Sequence, residues 1–184
     1  MAFKHVLLTI LISYAVLSRG AWGAETAQPI PLPYDYEFDW KCQRGMIEGK
    51  VCDQFPYRDV DAIEGDLHGA LLSAAKVLRP TERPDGAAYA FLGYVGSAKV
   101  LIGMDSPDNV ATYIIFTLVN NRLVDHQLIG IDDMEGNSLE RDFVIDKGYR
   151  IFVYSRKPHV GIKSPRKLIG EYQIRSDGTI TALK

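Results

Sequence analysis

Two apolar runs, Ala111–Val119 (ATYIIFTLV) and Arg122–Ile131 (RLVDHQLIGI), meet at Asn120-Asn121. Both runs are rich in β-branched and aromatic residues, which suit a pleated, buried surface. Asparagine tolerates positive φ, so the pair between them suits the tight turn of a hairpin. The same pattern recurs on either side. It predicts strands near 87–95, 98–104, 111–119, 122–131, 141–146, 149–155, 168–175 and 179–183. Lys147-Gly148 and Asp177-Gly178 supply further turn residues. No helical stretch of length separates the later strands, which excludes a parallel βαβ layout. The expected β portion is therefore an antiparallel meander of about eight strands over 87–183, as an open sheet or a barrel.

Upstream, Val60, Ile63, Leu67, Leu71, Ala74 and Leu78 recur at spacings of three and four, predicting a helix over 59–78. Asp59 or Asp61 can cap its start, and Arg79-Pro80 ends it. The fold class expected is α+β, the meander packed with this one main N-terminal helix, in a single globular domain over 42–184. Before it, Pro29, Pro31 and Pro33 alternate with Ile30 and Leu32, which reads as an extended leader. Tyr34, Tyr36, Phe38 and Trp40 then alternate with charged residues. Period two places all four aromatics on one face of a first strand, so 24–41 is read as leader plus strand.

The chain starts with Lys4 and His5, an apolar run from Val6 to Leu17, and Ala21-Trp22-Gly23. That order reads as a signal peptide over 1–23, cleaved before Ala24. The run is too short to anchor in a bilayer, where roughly 20 residues are needed. The destination is periplasmic or secreted. Cys42 and Cys52 are the only cysteines, and an even pair in an exported chain reads as a disulfide. With 21 Lys+Arg against 23 Asp+Glu, the charge balance gives no reason to expect nucleic acid.

Catalytic patterns are thin. Ser73-Ala74-Ala75-Lys76 has the Ser-x-x-Lys spacing of a lysine-activated serine, but it lies inside the amphipathic pattern without partner motifs. Ser164-Pro165-Arg166-Lys167 repeats the spacing in a loop. Asp61, Glu64 and His68 share a helix face, which most simply is a solvated polar face. His126 and His159 have no nucleophile near them in sequence. The acidic stretch Asp132–Asn137 departs from the EF-hand pattern, with Met134 at a ligand position, and reads as a solvated loop. No metal or cofactor is expected.

The strongest charge pattern lies between Asp146 and Glu171, where seven basic residues occur without an acid. The segment 156–167 is long for a hairpin connection and carries Pro158 and Pro165. Arg156, Lys157, His159, Lys163, Arg166 and Lys167 are the candidate binding residues. A positive loop on a net-negative protein steers towards carboxylates, so an acidic surface or active-site cleft is the expected partner. The function expected is non-enzymatic protein binding in the cell envelope, as an inhibitor or immunity protein against a wall-degrading enzyme. The alternatives are a small envelope hydrolase, built on Ser73 with Lys76 or His68 with Asp61 and Glu64, and a ligand carrier with a pocket between helix and sheet.

Overall fold

A computed structural model describes residues 28–48, 58–59, 88–105, 110–133, 138–156 and 164–183. Ten strands and one helix lie among them. They are β1 (Tyr34–Asp35), α1 (Tyr36–Gln43), β2 (Arg58–Asp59), β3 (Ala88–Val95), β4 (Ala98–Asp105), β5 (Val110–Val119), β6 (Arg122–Asp133), β7 (Ser138–Ile145), β8 (Arg150–Ser155), β9 (Lys167–Ile174) and β10 (Ile180–Ala182). From β2 to β10 each strand pairs antiparallel with the next, so the sheet is a meander, and its two ends do not pair to close it.

The turns show why. Asn120 and Asn121 both take positive φ, at 50° and 58°, the conformation that a two-residue hairpin demands. The β7–β8 turn departs from expectation: Tyr149, rather than Gly148, takes positive φ, at 59°. Asp146 explains the shift. Its Oδ1 accepts from the N–H groups of Gly148 and Arg150 at 2.8 and 2.9 Å, which fixes a turn one residue longer.

The aromatic stretch is a correction. It continues as a strand only to Asp35 and then becomes α1. Asp35 is the N-cap, its carboxylate accepting from the N–H groups of Glu37 and Phe38. Helical period now sorts the aromatics: Tyr36 and Trp40, four apart, turn into the core, and Phe38 turns out. Strand β1 pairs with β7, Tyr34 opposite Ile145. It takes the β7 edge where β6 has peeled away, since β6 pairs with β7 only through Ile131–Asp133. Further upstream the Ile30 N–H donates to the Phe91 carbonyl of β3 at 2.9 Å. The N-terminal segment thus runs from β3 to β7, and Ile30, Tyr34, Tyr36 and Trp40 join the inner core with Ile102, Ile115, Phe143 and Ile151.

The other face of β3–β5 is buried as well. Phe91, Leu101 and Phe116 lie side by side in register there. Burial on both faces accounts for the nearly unbroken apolar run that β5 shows in sequence. Asp59, which can cap the expected helix over 59–78, lies in β2 and pairs with Ala88 of β3. The remainder of that helix, the signal peptide and Cys52 lie outside the described residues.

Candidate functional site

The segment that the sequence singles out, 156–167, is held at both ends by one buried ionic network. Arg156 follows β8, and its backbone N–H donates to the Glu140 carbonyl of β7 at 2.9 Å. Its guanidinium donates through Nε to Asp142 Oδ2 at 2.8 Å, and through Nη1 to the Ser164 carbonyl at 2.5 Å. A further ion pair joins Nη2 to Glu37 of α1. Arg166, just before β9, meets Asp35 through Nη2 at 2.6 Å and Glu37 through Nε at 2.5 Å. Its Nε also lies 3.0 Å from Asp142 Oδ1, and its guanidinium stacks 4.9 Å from the Tyr154 ring. Two arginines are matched by three carboxylates, and the clamp brings residue 156 to residue 164.

This changes the part played by two predicted contacts. Arg156 is 7% exposed and its guanidinium is committed to buried acids, so it anchors the loop and is withdrawn from any partner. Arg166 is committed in the same way, although partly exposed. The linear charge run hid this because the acids come from far away: Asp35 is 131 residues from Arg166. Lys157, His159 and Lys163 lie outside the described residues. Lys167 is exposed, and the next two residues, Leu168 and Ile169, are exposed apolar side chains. The accessible foot of the loop therefore pairs a cation with an apolar step.

A second polar cluster lies under α1. The Tyr36 hydroxyl is hydrogen-bonded to the Tyr113 hydroxyl at 2.6 Å and lies 3.2 Å from Asp132 Oδ2. Arg44 Nη2 is 3.4 Å from the same carboxylate oxygen, and its guanidinium sits 4.1 Å above the Trp40 ring. Burial pushes the Tyr113 hydroxyl up to about 12, so it stays protonated and does not act as a base. Burial also raises the Asp132 carboxyl above its ordinary value, against the pull of Trp40, Arg44 and Tyr36. Sequence reasoning placed Asp132 in a solvated acidic loop; it is 3% exposed, at the end of β6. Period two counted from the buried Ile129 falls on Ile131 and Asp133, so strand alternation did not point to Asp132. The cluster links α1 to β5 and β6.

Because folding favours the neutral form of Asp132, this carboxyl stabilises the protein most below its unfolded value of 3.8. That contribution is lost as pH rises through the raised folded value. Relative to an Asp132→Asn variant, the parent should therefore lose stability between about pH 4 and about pH 7. Urea unfolding of both proteins at the two pH values measures this. A constant difference would show that the carboxyl is not perturbed.

Of the remaining sequence candidates, His126 and Ser164 fall on described residues. Ser73, Lys76, Asp61, Glu64 and His68 lie outside the described residues. His126 is exposed on β6, and Ser164 is buried with its carbonyl held by Arg156. Among the described residues no three His, Cys, Asp or Glu side chains gather to hold a metal, and no helix is long and apolar enough to cross a membrane. Cys42 is buried in α1 and is not a free thiol. Comparison with protein-family models, with curated proteins and with solved structures finds no match to this chain.

Proposed function

We propose that this is an exported, non-enzymatic binding protein of the cell envelope, in which the 156–167 loop engages an acidic site on a protein partner. The partner class we assign is a wall-degrading glycosidase, whose cleft carries two catalytic carboxylates. The observation that carries this reading is the Arg156 clamp. By tying Glu140, Asp142, Glu37 and Ser164 together, it fixes both feet of a basic, proline-bearing loop before any partner arrives. Loop ends held in advance lower the ordering entropy lost on binding. Lys163 and Lys167 are the cations assigned to the partner, with Leu168 and Ile169 as the apolar edge. Export and a Cys42–Cys52 disulfide belong to the same proposal.

The test compares the parent with a Lys163→Glu/Lys167→Glu variant, leaving the clamp arginines in place. Both are assayed for binding to purified muramidases, at low and high salt. The parent should bind at least one enzyme, with association slowed about tenfold or more by the reversal and by salt. Replacing the catalytic carboxylates of that enzyme by amides should have the same effect. Failure to bind any of the enzymes, or equal binding by parent and variant under all conditions, would sink the proposal.

A further inference from the structure

A second concave surface, independent of the loop, lies where the leader crosses β3. It is a groove of about 740 Å³. It is lined by Pro29, Pro31 and Leu32 of the leader, by Phe91 and Tyr94 of β3, and by Tyr149. This size is within the range of small-molecule sites.

The groove is built around a break in the sheet. The register of β3 against β4 shifts between Phe91 and Gly93, and Gly93 takes φ of 127°. The Tyr149 hydroxyl fills the space that a Cβ at Gly93 would need, and it donates to the Leu92 carbonyl at 3.1 Å. A bulge and a non-glycine residue at positive φ thus both line the groove. Both features are enriched at functional sites.

What the groove can recognise follows from its polar groups. The carbonyl of Phe91 accepts from Ile30, and that of Leu92 from Tyr149. The two prolines have no N–H to offer. A peptide strand seeking backbone partners on this surface would find these already used. An apolar body, by contrast, meets rings and aliphatic carbons. Lys147 is the one charged side chain among the described lining residues, and it is exposed at the rim. Its neighbour Asp146 is turned into the hairpin, where it accepts from Gly148 and Arg150.

We propose that this groove binds a monomeric long-chain carboxylate, its acyl chain lying between the leader prolines and Phe91–Tyr94 and its head at Lys147. The probes are laurate and dodecyltrimethylammonium, which share a chain and differ in the sign of the head. Each is titrated calorimetrically against the full mature chain below its micellar concentration. Laurate should bind saturably at one site. Lys147→Glu should weaken laurate about tenfold, roughly 1.4 kcal/mol, and strengthen the cationic probe. Pro31→Asp and Tyr94→Ala should weaken both probes. All three substituted side chains are exposed, so the variants retain the fold. The proposal is overturned by the absence of saturable laurate binding, or by equal affinity of the parent for both probes. It is equally overturned if the protein ignores monomeric laurate and sediments only with anionic vesicles, which would make the surface a membrane contact.

Discussion

Substituting alanine for Arg156 should lower the unfolding free energy by about 3–5 kcal/mol, the range for removing one partner of a buried ion pair. The side chain is 2% exposed and that of Asp142 is fully buried, so the change strands a carboxylate away from water. Arg166 remains within 3.0 Å of Asp142 but reaches the other oxygen, and it is already shared with Asp35 and Glu37. The Arg156→Ala/Asp142→Ala double variant should therefore lose less than the sum of the two single changes, because the stranded charge is gone. Arg150 and Glu171 supply the contrast. Their contact spans 3.4 Å with the arginine about half exposed, and Arg150→Ala should change stability by no more than about 1 kcal/mol. Urea midpoints at constant slope measure the parent and the four variants. A loss below about 1 kcal/mol for Arg156→Ala would show that water enters the clamp.

Trp40→Ala should be comparably damaging, at about 3–5 kcal/mol, since the indole is 1% exposed within the inner core. Phe38→Ala, two residues earlier, should fall within about 0.5 kcal/mol of the parent, because its ring is 45% exposed. The pair of measurements separates two conformations of one sequence. In a strand with all the aromatics on one face, both changes would damage the core alike. In α1 only Tyr36 and Trp40 point inward. Equal losses at 38 and 40 would return the segment to a strand.

The contrast between those conformations also marks where the sequence is legible. Strand-forming runs and turn residues are local signals, and the strands from β3 to β10 begin and end within a few residues of their expected bounds. The segment 34–43 carries two local signals that conflict. Aromatic–acid alternation argues for a strand, while Asp35 before Glu37, Asp39 and Lys41 is the charge order of a capped helix. The helix prevails: β1 pairs with β7 only at Val144 and Ile145, and the Asp35 cap starts α1 at the next residue. The ionic clamp was legible only in part. The basic run is visible, but the acids that neutralise two of its members reach it through the fold. Asp132 is a similar case: its partners Tyr36 and Arg44 come from 96 and 88 residues away, and nothing adjacent in sequence reports their approach.

The seat taken by β1 on β7 has a consequence for the order in which the molecule assembles. The N-terminal segment is the first of the described residues to be synthesised, yet its sheet partner, Ile145, and the arginine that grips Asp35 come near the end of the chain. Closing so long a loop carries an entropic penalty before any contact rewards it, which makes such pairings slow. Until the β7–β9 hairpins form, Tyr34, Tyr36 and Trp40 lack the part of the core that Phe143, Ile145, Ile151 and Val153 supply. The earliest residues made are thus among the last to settle, and completion of the inner core waits on the arrival of the C-terminal third.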